Sequence, residues 1–106
     1  MKVAITSEGN SPESKVDQRF GRCSYFVIYD TETKSTEFIP NPNRNAREGA
    51  GPASVQLIAA KNISKVVSGE FGVKIKPILD SLKIQMISVK DEKSITEIIQ
   101  LIENNK

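Results

Sequence analysis

The chain has no histidine, no tryptophan and a single cysteine, and its aromatic residues are few: two tyrosines and four phenylalanines among 106 positions. Without histidine it lacks the commonest metal ligand and the side chain that ordinarily exchanges a proton near neutral pH, which argues against most zinc-site and hydrolase chemistry. Cys23 has no partner for an intrachain disulfide, so the core must form without covalent staples. No N-terminal run has the basic, apolar and small-residue order of a secretory signal, because Glu8 and Gly9 interrupt it, and a reducing cytoplasm is the expected compartment. Long apolar runs are missing as well. Stretches such as Phe26 to Tyr29 hold a few residues, far short of the ~20 needed to span a bilayer, so no membrane partner is expected.

Neither sign of charge dominates: 15 Lys and Arg oppose 13 Asp and Glu for a net charge of +2. That imbalance is too mild to mark a nucleic-acid surface, which requires cations gathered on one face. The distribution says more. Lysines are scattered, but all four arginines, Arg19, Arg22, Arg44 and Arg47, fall between positions 19 and 47, in segments of loop composition.

The length suits one domain over residues 1–106. Val3, Ala4 and Ile5 predict a short buried strand, and the polar stretch from Ser7 to Arg22, with Gly9, Pro12 and Gly21, predicts a long loop. Tyr25 to Tyr29 and Thr36 to Ile39, separated by polar turn residues, read as a hairpin, which Pro40 and Pro42 terminate. A helix is predicted from Pro52, whose missing N–H is no loss in a first turn, with Leu57, Ile58 and Ala60 on its inner face. Lys65 to Gly69 reads as a strand. A second helix follows with Ile75, Ile78, Leu79 and Leu82 inward, provided that Pro77 lies in its first turn. Ile84 to Val89 is the last strand, and Ser94-Ile-Thr-Glu97 is a capping box opening a helix with Ile95, Ile98, Ile99 and Ile102 on one stripe. The order predicts an α/β layer fold on a mixed sheet. No long heptad pattern calls for assembly, and a monomer is expected.

If helix crossovers make strands one, four and five parallel, and the hairpin sets strand two antiparallel beside strand one, the loops after strands one, three and four emerge at one sheet edge. Open α/β sheets bind ligands at such edges. Cys23, the four arginines, Gly49 to Gly51 and Gly69 to Gly72 would converge there, with two loops feeding helix N-termini that favour negative charge. The expectation is an anion-binding edge, with arginine supplying planar, permanently charged donors. The simpler reading is that the glycines cap turns and the arginines solvate a loop.

The run Asp17-Gln-Arg-Phe-Gly-Arg-Cys-Ser-Tyr-Phe-Val-Ile, followed by Asn41-Pro, Gly49-Ala-Gly-Pro52 and Gly69-Glu-Phe-Gly72, resembles the dinitrogenase iron-molybdenum cofactor biosynthesis family, that of NifX and the C-terminal part of NifB. The resemblance covers most of the chain and implies a three-layer α/β/α, ribonuclease-H-like fold with a five-stranded mixed sheet. It also implies a non-enzymatic protein that binds or carries the iron-molybdenum cofactor or an iron-sulfur precursor cluster and meets cofactor-assembly proteins. Such a cluster is an anionic assembly carrying an organic acid, for which a thiolate and arginines are suitable partners. On that basis Cys23 is the expected metal ligand, Arg19 and Arg22 stabilise its thiolate and pair with acid groups, and Asp17 orients an arginine. Phe20, Gly21, Arg44, Arg47, Gly49, Gly51, Gly69, Phe71 and Gly72 complete the expected site, with Phe20 and Phe71 shielding it from water. The sequence departs from relatives that use a histidine, and from those continuing Gly-Asn-Phe-Gly-Pro, since it has Glu70 and Val73.

Two other functions compete. A small-anion or nucleotide-sensing module, or a protein-interaction domain, would use the same edge without a metal cluster, and Cys23 would then be a small buried hydrophobe. A ribonuclease-H-like nuclease would want a carboxylate in the first strand, yet Lys2 to Thr6 has none and Asp30, Glu48 and Asp80 are dispersed.

Overall fold

The computed structural model describes residues 1–104. Strand β1 (Lys2–Ser7) leads to the hairpin β2 (Tyr25–Asp30) and β3 (Thr36–Pro40), then helix α1 (Ala50–Ala59), β4 (Ile63–Ser68), α2 (Ile75–Ser81), β5 (Gln85–Ser88) and α3 (Ile95–Asn104). The five strands form one mixed sheet in the order β3-β2-β1-β4-β5. β1 pairs antiparallel with β2, setting Ile5 opposite Val27, and parallel with β4, setting Ala4 opposite Val66. β5 continues the parallel side and β3 the antiparallel side.

Alternation along the strands sends successive side chains to opposite faces, and each face has its own core. Ala4, Phe26, Ile28 and Val66 pack against Val55 and Ile58 of α1 and Ile75 and Leu79 of α2. On the other side Val3, Ile5, Val27 and Val67 meet Ile95 and Ile98 of α3, together with Val16 from the long loop. The result is three layers, α/β/α, with the five-stranded mixed sheet expected from the element order. The α3 capping box forms: Glu97 N–H donates to Ser94 Oγ at 3.2 Å and Ser94 N–H to Glu97 Oε1 at 2.9 Å.

Several boundaries differ from the sequence reading. β1 runs on through Thr6 and Ser7, which are polar yet fully buried, and β4 starts at Ile63 rather than Lys65. α1 starts at Ala50, so Pro52 is its third residue, where the N–H is still outside the helical ladder. Pro77 is likewise the third residue of α2. Two residues expected inside are not. Ala60 and Leu82 are the C-cap residues of α1 and α2, where the helical face gives out, and both are exposed. The inner face of α1 instead includes Val55, one turn before Ile58.

Candidate functional site

The long loop after β1 is stitched to the ends of two parallel strands. Thr6 Oγ1 lies 2.8 Å from the Asp17 carbonyl and 3.0 Å from Ser68 Oγ, inside the protein. Gly69 N–H donates to the Asp17 carbonyl and Glu70 N–H to the Gln18 carbonyl, so the loop runs beside the 69–74 turn that follows β4. The buried Asp17 carboxylate accepts the Arg19 N–H at 3.0 Å and faces Arg19 Nε at 3.5 Å. Asp17 thus orients an arginine, while two-thirds of the Arg19 side chain remains exposed. Phe20 turns inward, edge-on to Phe26 at 5.7 Å and against Phe71 at 5.8 Å between ring centroids. Both phenylalanines are anchors that pin loops to the core.

The third contributor is the segment between β3 and α1. Buried Asn41 donates through Nδ2 to the carbonyls of Gly21 and Cys23, both at 3.0 Å, and its Oδ1 accepts the Asn43 N–H. The Arg22 guanidinium donates to the carbonyls of Arg44, Ala46 and Arg47. These bonds fix the loop, and among the described residues no carboxylate pairs with Arg22. Gly49 then adopts φ +75°, a left-handed conformation costly for a residue with Cβ, and α1 begins with no side-chain cap. The N–H groups of Ala50 and Gly51 have no intrahelical acceptor, and the helix dipole adds partial positive charge at the same point.

Between these three segments lies a cleft of about 510 Å³, lined by residues 18–22, 49–52, Glu70 and 72–75. Its cations are Arg19, Arg22 and Lys74. Among the described residues its one carboxylate, Glu70, is paired with Lys90 at 3.4 Å. Of the expected site, Arg19, Phe20, Gly21, Arg22, Gly49, Gly51 and Gly72 line this cleft, whereas Cys23, Arg44, Arg47, Gly69 and Phe71 do not. Arg44 and Arg47 are exposed and lie outside the cleft lining, while their carbonyls serve Arg22. Nor do most of the glycines open the backbone to a ligand. A Cβ at Gly21 would come within 2.9 Å of Gly51 Cα and N, and one at Gly69 within 2.5 Å of Gln18 Cα, so these positions serve close packing of protein on protein.

Cys23 departs most from expectation. It shares the end of the molecule where residues 41–51 gather, yet it is fully buried in the core and outside the cleft lining, with Asn41 Nδ2 3.8 Å from its sulfur. Burial, reinforced by the negative charge of Asp17, pushes the thiol up to about 12. It is a neutral, shielded group, the opposite of the electropositive, accessible setting that makes a thiolate. Among the described residues no three His, Cys, Asp or Glu side chains are placed to hold a metal ion together.

Gln18, Ala50, Pro52, Val73, Lys74 and Ile75 also line the cleft and were not among the expected binding residues. For most of them the signal was adjacency. Gln18, Ala50, Pro52 and Val73 each neighbour a glycine or arginine of the recognised runs, while Lys74 and Ile75 lie beyond them, and Val73, 82% exposed, is an apolar side chain in a polar turn.

No curated protein sequence matches the chain. Among solved structures it is similar to the apo form of the orange protein from Desulfovibrio gigas, with 26% identity over 98% of this chain and 88% of that one and a TM-score of 0.90. It is also similar to a NifB-like protein from Thermotoga solved by NMR, with 29% identity, coverage of 97% and 87%, and a TM-score of 0.83. The family model described as "Dinitrogenase iron-molybdenum cofactor" matches residues 1–105, and with the fold and ordered loop motifs in agreement, the chain belongs to the dinitrogenase iron-molybdenum cofactor family.

Proposed function

We propose that the protein binds and carries a preformed anionic metal cluster, of the iron-molybdenum cofactor or iron-sulfur precursor type, and catalyses no reaction on it. The observation that carries this reading is the cleft itself: three cations and an uncapped helix start surround a space of about 510 Å³ whose only lining carboxylate among the described residues is already paired. That volume falls within the ~300–1,000 Å³ usual for small-ligand sites. Family membership and the likeness to an apo protein and a NifB-like protein support a cofactor-related role.

The donor set suits second-sphere holding rather than ligation. Arg19, Arg22 and Lys74 suit the sulfides and acid groups of a cluster whose irons are already ligated, and the Ala50 and Gly51 N–H groups add hydrogen bonds. Cys23 does not suit direct coordination, since reaching a metal would require removing a core residue and ionising it against burial and Asp17. A carrier benefits from this arrangement, because a cargo held by charge and hydrogen bonds leaves without breaking a metal–protein bond. An acceptor protein of the assembly pathway is the corresponding partner.

The test is anaerobic titration of the protein with isolated iron-molybdenum cofactor, followed by visible absorption at several ionic strengths. Affinity is expected to fall with salt, and by about fivefold each in Arg19→Ala and Lys74→Ala, the size of one partly exposed charge contact. Cys23→Ala should bind like wild type. Salt-independent binding that disappears in Cys23→Ala would overturn the proposal.

A further inference from the structure

A second cavity lies on the opposite face of the sheet, away from the three loops. Helix α3 packs there over Val3, Ile5 and Val27, and its last turn reaches Tyr29, whose hydroxyl donates to Glu103. It therefore covers the β1–β2 side and leaves the β4–β5 side partly open. The gap is a cavity of about 240 Å³, walled by Val67, Ile87 and Val89 from the sheet side and Ile98, Leu101 and Ile102 from α3. Leu101, at 45% exposure, is an apolar helix residue at its mouth. Lys65 also lines it. This half-buried lysine lies on the same sheet face as Val67, two residues away, and has neither an ion pair nor a hydrogen bond among the described residues.

We propose that this cavity binds a small apolar monocarboxylate, with its hydrocarbon against the aliphatic walls and its carboxylate on Lys65. Size and charge select that class. The volume exceeds the ~150 Å³ that admits a benzene ring but is below the ~300 Å³ where drug-sized sites begin, so the occupant is a fragment of a few carbons rather than a nucleotide or a peptide helix. The walls reward apolar area by roughly 25 cal/mol per Å² buried. A neutral hydrocarbon would leave the lysine partly desolvated without a partner, and a cation would be repelled by it.

The probe is hexanoate, titrated into the ¹⁵N-labelled protein, with hexanol and hexylammonium as controls of matched chain length. Hexanoate is expected to shift the amides of 65–67, 87–89 and 98–102, and to bind more tightly than hexanol, with hexylammonium weakest. Lys65→Met keeps the apolar stem and removes the charge. It should weaken hexanoate about threefold and leave hexanol unchanged. Leu101→Ala, at an exposed position that does not endanger the fold, should weaken both. Equal binding of hexanoate and hexanol, or hexanoate shifts confined to the 18–22 and 49–52 loops, would overturn the proposal. So would a concentration-dependent dimer in sedimentation that hides the same amides, because the cavity would then be a contact between copies of the chain.

Discussion

Replacing Gly21 with alanine tests the contact that forms the cleft wall. The new methyl would lie 2.9 Å from Gly51 Cα and N and 3.2 Å from the Ala50 carbonyl carbon. Non-bonded carbons settle at ~3.5–4.0 Å, and here the obstructing atoms are main chain at the start of α1, tied into the helix by the Ala53-to-Gly49 hydrogen bond. Relief therefore requires the loop and the helix to part. Gly51→Ala makes the useful contrast. Its methyl would come closer still, 2.4 Å from Ile75 Cδ1, but that atom ends a flexible side chain that can rotate away. Overpacking costs roughly 1–3 kcal/mol, and alanine regains up to ~1 kcal/mol over glycine inside a helix. Gly21→Ala is assigned about 3 kcal/mol and Gly51→Ala about 1 or less. At roughly 4–5 °C per kcal/mol for a domain of this size, the midpoints should fall by about 12–15 °C and by less than about 5 °C. Thermal unfolding by circular dichroism, backed by urea titration, measures both. The reverse order, or no loss in Gly21→Ala, would show that the loop does not rest on the helix start.

Two further predictions concern pH and capping. The folded thiol of Cys23 lies near 12 against an ordinary 9.0, so its contribution is fully present below about pH 9 and is lost as pH rises toward 12. The loss across that window is on the order of a few kcal/mol and begins near pH 9, and Cys23→Ala should flatten this part of the urea-stability profile. An alkaline limb identical in the two proteins would show that the thiol is not shielded. For α3, Ser94→Ala should cost about 1 kcal/mol in urea unfolding near neutral pH. Backbone hydrogen bonding from Ser94 holds the Glu97 carboxyl below its ordinary range, so the box's contribution is present above that range and is lost as pH falls through the depressed value. Glu97→Gln should remove this acid-dependent part of the urea-stability profile, whereas Ser94→Ala keeps the backbone N–H and with it the acid limb; an acid limb unchanged in Glu97→Gln would contradict the pairing.

The fold was largely legible because each element carried an unambiguous local signal. The aromatic and β-branched run Tyr25 to Tyr29, the prolines after Ile39 and the Ser94–Glu97 box all act over a few residues, and the crossover rule then leaves few topologies. The misses at Ala60 and Leu82 lie at helix ends, where periodicity continues in the sequence after the helix has stopped. The gathering of three loops at one edge was also legible, since it follows from topology. What each residue does there was not. Gly21 and Gly69 were expected in the ligand site but accommodate neighbouring backbone, and Arg22, which lines the cleft, also clips three carbonyls, a role its residue type does not announce. Cys23 sits between a glycine-arginine pair and a strand. Only the register of β2 and the packing of Asn41 turn its sulfur inward, and neither is visible in a run of residue types. Lys74 escaped notice because lysines are scattered through the chain, and only the turn after Gly69 sets this one apart.

The most direct measurement is a crystal structure of the protein loaded anaerobically with iron-molybdenum cofactor. The account predicts the cluster in the cleft beside Arg19, Lys74 and the start of α1, with the Cys23 sulfur still in the core against Asn41. Metal bonded to that sulfur, or a cluster seated elsewhere on the molecule, would contradict it.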